Sequence, residues 1–371
     1  PVNGHNIKAL IPCLEYAKNE RKPVLLHVKT IKGKGYTPAE KHPECFHGVG
    51  QFDPKTGAIK NSGADNYSKH FGKKLIELAA YNKRIVAITC AMPDGTGLVE
   101  FSKLYKDRFF DVGIAEQHGV TLAAGMAAAG YTPVIPLYST FLQRAYDQAI
   151  HDVCLQSLHV VFPVDRAGIV GADGETHQGV YDLSYLSSMP NMTVLSPSSF
   201  SQLEDMLEYA VSKHDGPIAI RYPRGGQQSP YKYSGFVPNA VYTLKPGKDV
   251  TIFVTGRMVS TAAMIDEILS QEDISVEIVE IPTVHPLNEA SIIASAMKTK
   301  VCVSIEDNIK SGGMGEHIAD IILEHDVHCV YRAFGFPLVP IVHGSTDKLD
   351  KKYGMDADTI SDKIIKLVRN R

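Results

Sequence analysis

The chain has 371 residues, of which 44% are hydrophobic and 21% are charged, and its formal net charge is −3. At about 150 residues per domain, this length predicts two or three domains, and the ordinary apolar content excludes a chain that is disordered overall. The near balance of charge argues against a nucleic-acid binder that depends on phosphate contacts.

Apolar runs of strand length alternate with helical periods along the first two thirds of the chain. Runs of this kind occur at residues 24–28, 85–89, 132–137, 159–164, 193–195 and 218–221. Between them apolar residues recur with the helical period, as at Phe71, Leu75 and Leu78. The alternation predicts an α/β fold in which a parallel sheet is covered by helices on both faces.

Residues 1–62 are not expected to form a domain by themselves. They predict one helix, one strand and a polar loop with glycines, which cannot close a core. Pro1 stands where an initiator Met is usual, and no signal-peptide pattern follows it. We therefore expect this segment to be the tail of a domain whose remainder lies upstream of Pro1.

Residues 63–228 are predicted to form the first complete α/β domain. Its stretch 117–143 carries no formally charged residue, but the glycines, prolines and threonines within it exclude a transmembrane helix. A buried helix rich in Ala and Gly, followed by a turn and a buried strand, fits this stretch better.

Prolines and glycines are interspersed at residues 229–248 and predict an exposed linker. Strand and helix signals then restart, so residues 249–371 are predicted to form a second, smaller α/β domain. Its last helix is expected to start near Asp356, whose side chain can cap it, with Ile360 and Ile364 on its apolar face.

The six cysteines contain no CxxC pair, since the two nearest in sequence, Cys302 and Cys329, are 27 positions apart. This spacing excludes a zinc ribbon, and several of the cysteines lie in apolar runs. We expect buried free thiols in a reducing compartment, and hence a cytoplasmic protein.

Glu116 begins the uncharged helix, within the sequence DVGIAEQH. The helix dipole favours an acid in a first turn, which is a purely structural explanation. Alternatively, packing under Ala and Gly buries the carboxylate, which then needs a partner such as a ring nitrogen that shares its proton. The residues alone do not decide between these explanations.

Three arginines are candidates for binding an anion. Arg144 has a simple structural explanation as the surface partner of Asp147, three positions along a helix. Arg221 and Arg224 follow a predicted strand at the end where parallel sheets bind ligands, and a guanidinium group suits phosphate.

Glycine-containing loops carry the remaining candidates. The loop GIVGADGETHQG contains Asp173 and His177, but two residues make an incomplete metal site and no metal motif is present. Lys32 and Lys34, in KGKG, could contact an anion, although a flexible solvated loop is the favoured explanation because the phosphate-loop signature is missing. His47, at the end of that loop, can exchange protons near neutral pH.

The segments FDVGIAEQH, YSTFLQRAYDQ, GADGETHQG, DLSYL and RYPRG, in this order, resemble the 1-deoxy-D-xylulose-5-phosphate synthase family. These enzymes are relatives of transketolase that depend on thiamine diphosphate. The resemblance covers residues 1 to about 230. The C-terminal domain resembles the transketolase C-terminal domain more loosely, through EIPTVHPL and SIEDNIKSGGMGE.

The resemblance implies a transketolase-like fold, with a pyrimidine-binding domain and a smaller C-terminal domain. It implies the condensation of pyruvate with D-glyceraldehyde 3-phosphate to 1-deoxy-D-xylulose 5-phosphate and CO2, the first step of non-mevalonate isoprenoid synthesis. Thiamine diphosphate and Mg²⁺ are the implied cofactors, and a homodimer is the implied assembly. The implied location is the cytoplasm of a bacterium, or the plastid of a plant.

The resemblance also implies roles for single residues. Glu116 matches the glutamate that hydrogen-bonds the cofactor's aminopyrimidine, which favours its functional explanation. His47 and His177 match catalytic histidines, and Arg221 is expected to be structural. The implied cofactor-binding residues are Glu116, Phe141, Lys32, Lys34 and Ile114. The implied substrate-binding residues are Tyr138, Arg144, Asp173, His177 and Arg224.

One departure from the family concerns the metal. The family binds Mg²⁺ and the diphosphate through a GDG signature, which neither residues 93–95 nor residues 172–174 supply. We therefore expect the metal ligands upstream of Pro1 and an inactive chain in isolation. The alternatives are a split transketolase or the β-type subunit of a 2-oxo acid dehydrogenase, which differ in acceptor, and a non-catalytic assembly subunit.

Overall fold

The structure, a computed structural model, describes residues 1–43, 45–46, 49–59, 65–227, 229–233 and 235–370, and only the backbone of Ala172. The chain divides into two compact units, residues 1–64 and 65–371. The predicted catalytic residue His47 lies outside the described residues.

The first unit has little regular structure. Its elements are β1 (Val2–Asn3), α1 (Ile7–Asn19), β2 (Val28–Lys29) and α2 (Thr37–Lys41). The strand expected at residues 24–28 is reduced to β2, which pairs in parallel with β1, and Leu25 is 95% exposed. A two-stranded ladder is too small to bury these apolar side chains within this unit, so the predicted burial does not occur.

The second unit begins with parallel strands and the helices that connect them. The strands are β3 (Ile85–Thr89), β4 (Phe109–Asp111), β5 (Thr132–Val134), β6 (Leu137–Tyr138), β7 (Val161–Asp165), β8 (Thr193–Leu195) and β9 (Ile218–Arg221). The α-helices are α3 (Tyr67–Tyr81), α4 (Val99–Leu104), α5 (Glu116–Ala128), α6 (Ser139–Leu142), α7 (Tyr146–Gln148), α8 (Asp182–Ser187) and α9 (Phe200–Ser212). Shorter 3-10 turns cover Lys106–Arg108, Gln143–Ala145, Gly171–Asp173 and Glu175–His177, and a π-helix covers Ala149–Cys154.

The later half of this unit repeats the pattern of strands and helices. Its strands are β10 (Tyr242–Lys245), β11 (Val250–Val254), β12 (Val276–Glu280), β13 (Thr283–His285), β14 (Val301–Ile309) and β15 (Val330–Phe336). Its helices are α10 (Met258–Ser270), α11 (Glu289–Thr299), α12 (Met314–Glu324), α13 (Thr346–Tyr353) and α14 (Ala357–Arg369).

Two mostly parallel sheets result, which confirms the predicted α/β fold. The first sheet has the order β13–β8–β9–β7–β5–β3–β4, with β6 beside β7, and the second has the order β10–β12–β11–β14–β15. The antiparallel pairs, β13 with β8 and β10 with β12, lie at the edges. Because β13 comes from the later half of the chain, that half completes the edge of the first sheet.

Strand β10 lies within the segment that the sequence predicts as an exposed linker. Tyr242 pairs with Glu280 and Thr243 pairs with Val279 across the edge of the second sheet. An edge strand forms ladder hydrogen bonds on one side only, so it tolerates nearby prolines. These prolines are the reason that the sequence predicts a linker here and not a strand.

The two sheets share an apolar core. Phe253, Val279 and Met314 from the later half join Leu186 and Val194 from the earlier half in one buried cluster. The halves are therefore packed against each other as well as connected by the chain. Within the described ranges, no helix is both long and apolar enough to cross a bilayer.

Two predicted helix starts are confirmed. Helix α5 begins at Glu116, and Asp356 is the N-cap of α14, where its carboxylate accepts a hydrogen bond from the Thr359 amide at 3.1 Å. Ile360 and Ile364 are buried as expected.

Glu306 in β14 is a fully buried acid at the start of helix α12. Its carboxyl oxygens accept hydrogen bonds from the amides of Met314 and Gly315, each at 2.8 Å. Burial raises the pKa of Glu306 to about 8, against the lowering effect of these two donors. The folded protein therefore keeps a proton that the unfolded chain loses at its ordinary pKa of 4.5.

We expect stability to fall as the pH rises between those two pKa values, by up to about 1.4 kcal/mol per pH unit from this group. Glu306→Gln should remove this contribution, which denaturation midpoints measured at several pH values would show. Glu316→Gln is the control, because exposed Glu316 accepts from the Gly312 amide at the start of the same helix. Parallel pH profiles for wild type and Glu306→Gln would contradict the expectation.

Candidate active site

The predicted site residue Tyr138 and two further polar residues lie at the carboxyl edge of the first sheet. Tyr138 ends β6, Asp165 ends β7 and Arg221 ends β9, and these strands are neighbours. Tyr138 is in register with Asp165, and Arg221 with Val164. The carboxyl ends of parallel strands form the edge at which such sheets bind ligands.

Glu116 is 3% exposed at the beginning of α5. The N-cap residue Ala115 offers no side-chain cap, so the acid in the first turn supplies the negative charge that the helix dipole favours. Its Oε1 atom accepts a hydrogen bond from Nη1 of Arg144 at 2.6 Å. The structure thus gives this buried carboxylate a protein partner.

Arg144 does not have the simple surface role that its sequence position allows. Among the ion pairs of the described residues, it pairs with Glu116 instead of Asp147. Its guanidinium lies 4.9 Å from the centre of the Phe141 ring, and its side chain is 49% exposed. A buried carboxylate gains more from a cation than an exposed one does, which explains the choice of partner.

Aromatic rings connect Glu116 and Arg144 to the glycine-rich loop. The Tyr138 and Phe141 rings stack with centroids 5.5 Å apart, and the half-buried His177 imidazole forms a T-shaped contact with Phe141, with centroids 5.3 Å apart. Five of the predicted site residues, from Glu116 to His177, therefore form one continuous cluster.

Asp173 lies between two arginines on the other side of Tyr138. Its carboxylate is 3.2 Å from Nε of Arg166 and 3.3 Å from Nη1 of Arg224. Arg224 also donates to the Val170 carbonyl at 3.2 Å. Asp173 thereby orients both cations next to the aromatic cluster.

Sequence reasoning missed Arg166. Its guanidinium lies 3.8 Å from the centre of the Tyr138 ring, and its backbone has a φ of +59°, which is unusual for a residue with a side chain. A usable signal was present, because Arg166 follows β7 directly, in the strand-end position that drew attention to Arg221 and Arg224.

Asp165, which the sequence analysis also missed, holds the Arg166 side chain in place. It is fully buried, and it accepts hydrogen bonds from Oγ of Ser68 at 2.6 Å and from Nη1 of Arg166 at 3.2 Å. Burial raises its pKa to about 6, and the neighbouring Arg166 charge opposes this shift.

Three further residues are predicted to bind the cofactor. Ile114 is 81% exposed in the turn before α5. Lys32 and Lys34 belong to the first unit and are exposed there, and the Lys34 ammonium lies 3.7 Å from Glu40. Among the residues that the structure describes, no three His, Cys, Asp or Glu side chains are grouped as a metal site.

Two family models match the chain. One, "Transketolase, pyrimidine binding domain", covers residues 65–228, and the other, "Transketolase, C-terminal domain", covers residues 239–360. The chain therefore contains a transketolase pyrimidine-binding domain followed by a transketolase C-terminal domain.

The sequence is similar to curated 1-deoxy-D-xylulose-5-phosphate synthases, which confirms the resemblance found from its motifs. It is 47% identical to the protein of Clostridium tetani over 369 residues, 99% of this chain and 60% of the relative. It is 48% identical to that of Clostridium acetobutylicum over 374 residues, 98% of this chain and 59% of the relative. The chain thus spans about 60% of the length of these relatives.

Solved structures show the same fold. A chain described as "Split gene transketolase, inactive beta4 tetramer" matches with a TM-score of 0.74 and 28% identity, covering 81% of this chain and 97% of that one. A transketolase of Pichia stipitis in complex with a sugar phosphate matches with a TM-score of 0.67, covering 83% of this chain and 46% of that one. Its 17% identity supports the fold alone.

Proposed function

We propose that this chain is the pyrimidine-binding and C-terminal portion of a 1-deoxy-D-xylulose-5-phosphate synthase. Together with the remainder of such an enzyme, it would condense pyruvate with D-glyceraldehyde 3-phosphate to 1-deoxy-D-xylulose 5-phosphate and CO2. The observation that carries the proposal is the buried Glu116 carboxylate at the uncapped start of α5. The similarity to the curated synthases supports it.

The cluster fits an aminopyrimidine cofactor. A buried carboxylate needs a hydrogen-bonding partner, and its partner Arg144 has a half-exposed side chain that can leave without a large desolvation cost. Phe141 offers an aromatic face beside it. When bound, thiamine diphosphate supplies the electron sink for the loss of CO2 from a 2-oxo acid.

The proposed role of Glu116 is to hold a proton against a ring nitrogen of the pyrimidine. His177 would exchange protons with the substrates from the edge of Phe141, and His47 would be a second proton carrier. Lys32 and Lys34 are proposed near the diphosphate, and Ile114 against the cofactor. The Mg²⁺ ligands are proposed to lie on polypeptide outside this chain, and the assembly is proposed to be a homodimer.

The acceptor's phosphate is proposed to bind Arg144 and Arg224, since guanidinium groups bind phosphate in a bidentate way. Asp173 holds Arg224 and Arg166 in place, and Tyr138 forms the wall between them and Phe141. Arg166 is also proposed to bind this phosphate, because it pairs with the same Asp173 carboxylate as Arg224.

The function is tested with the protein supplied with the remaining segment of a synthase, Mg²⁺ and thiamine diphosphate. Pyruvate and D-glyceraldehyde 3-phosphate are expected to give CO2 and the deoxyketose phosphate in equal amounts. A parallel reaction replaces pyruvate with a ketose phosphate donor, and another offers lipoamide as acceptor.

A split transketolase is the second candidate, because the split-gene chain is matched over 97% of its length. Turnover of the ketose phosphate, with none of pyruvate, would assign the chain to that function. No product in any of the reactions would contradict both enzymatic proposals and favour an assembly subunit.

A further inference from the structure

The second sheet has a crevice of the kind that holds ligands in open α/β folds. Its strand order reverses direction at β11 and β14, and a ligand usually binds beyond the carboxyl ends of the strands at such a point. Here the crevice receives a side chain of the same protein, Arg221 from the end of β9, which is 2% exposed.

A chain of five alternating charges fills this crevice. Arg221 donates from Nε and Nη2 to Asp182, at 2.9 and 3.2 Å, and from Nη1 to Oδ1 of Asp307 at 2.7 Å. The other oxygen of Asp307 accepts from Nε of Arg257 at 3.1 Å, and Arg257 binds Asp350 through both terminal nitrogens. Asp307 in β14 is the central member, shared by both arginines.

Asp307 also touches the glycine-rich loop that carries Asp173 and His177. Gly168, at the start of that loop, has a φ of +76°, and a Cβ atom there would collide with Oδ2 of Asp307. Gly168 and Gly179 exchange two backbone hydrogen bonds of 2.7 Å, which close the neck of the loop.

Strand β14 also contacts the chain directly after the loop. The amide of Ile309, two residues after Asp307, donates to the Val180 carbonyl at 2.8 Å. Gln178 donates from its side chain to the Val342 carbonyl at 3.2 Å. The neck of the loop therefore rests on the carboxyl edge of the second sheet.

We propose that Asp307 is a positioning residue, through which the second sheet fixes the neck of loop 168–179 and with it the placement of Asp173 and His177. It acts in two ways, by neutralising the arginine that ends β9 and by packing its carboxylate against a glycine that leaves room for it. The effect on the loop is independent of the proposed function, whereas the consequence for substrate binding rests on it.

Peptide-resolved hydrogen–deuterium exchange on the chain tests the effect on the loop. In Asp307→Asn, the peptide spanning residues 166–180 is expected to exchange at least tenfold faster, while the peptide over β11 keeps its rate. Glu277→Gln is the matched control, since Glu277 is a buried carboxylate of the same sheet whose partners are Thr251 and Lys298. Unchanged loop exchange in Asp307→Asn, or equal acceleration in Glu277→Gln, would overturn the proposal.

A milder variant decides the question if Asp307→Asn does not fold. Asp350→Asn weakens only the outer end of the charge chain and should accelerate the same peptide severalfold, whereas an unchanged rate would count against the proposal. In the reconstituted enzyme, Asp307→Asn should raise KM for the aldehyde phosphate more than it lowers kcat. The exchange result stands whether or not the enzyme makes the proposed product, so failure of one proposal is distinguishable from failure of the other.

Discussion

Under the proposed function, Glu116→Ala in the protein supplied with the remaining segment of a synthase is expected to lower kcat by on the order of 10²-fold or more. The reason is that proton transfer by a positioned side chain is typically worth about 10²- to 10⁴-fold in rate. The carboxylate is buried and faces a guanidinium, so its loss removes the group proposed to hold the pyrimidine proton. The measurement is the initial rate of deoxyketose phosphate formation at saturating substrates.

The loss of rate should not come from unfolding. Removal of Glu116 leaves Arg144 unpaired, but that side chain is half exposed and water can solvate it. Glu100→Ala is the control, because Glu100 is an exposed acid early in helix α4 that pairs with Lys103. Near-normal turnover in Glu116→Ala, with thiamine diphosphate still required, would refute the role assigned to this residue.

Arg221→Ala is expected to destabilise the protein by about 3–5 kcal/mol, which is typical when one partner of a buried ion pair is removed. Asp182 and Asp307 would each lose a hydrogen-bonded cation while remaining out of contact with water. Equilibrium unfolding in urea would show this as a lower midpoint with an unchanged slope.

Arg369→Ala provides the comparison for the Arg221 variant. Arg369 also forms a short ion pair, 2.6 Å from Glu272, but both side chains are exposed, and such pairs contribute about 0–1 kcal/mol. A similar small effect in both variants would show that the charges around Arg221 are solvated, and the argument from burial would then fail.

Local sequence patterns predicted the parts of the fold that depend on local interactions. The strand at 85–89 was predicted from its apolar run, and the start of α5 was predicted from the beginning of the stretch that lacks charged residues. Strand β10 was missed, because an edge strand buries little and leaves a weak apolar signal. The segment near Leu25 was wrongly expected to be buried, since periodicity reports a capacity for burial and not the presence of a covering layer.

Contacts within the candidate site could be predicted where the residues are close in sequence, but not where the partners are far apart in sequence. Tyr138, Phe141 and Arg144 lie within one short segment, but the partner of Arg144 is 28 positions away. Arg221 reaches Asp307 across 86 positions, and spacing alone cannot indicate such a pair. The structural role expected for Arg221 agrees with its burial, although its partners could only come from the tertiary structure.

The contribution of β13 to the first sheet limits how this protein can be divided. Because a strand from beyond residue 280 borders β8, a fragment ending before that point would leave unpaired the backbone amides and carbonyls on the edge of β8 that faces away from β9. Unprotected sheet edges promote association between chains. A fragment containing the pyrimidine-binding half should therefore include β13, or should carry charged or proline substitutions at the exposed edge of β8.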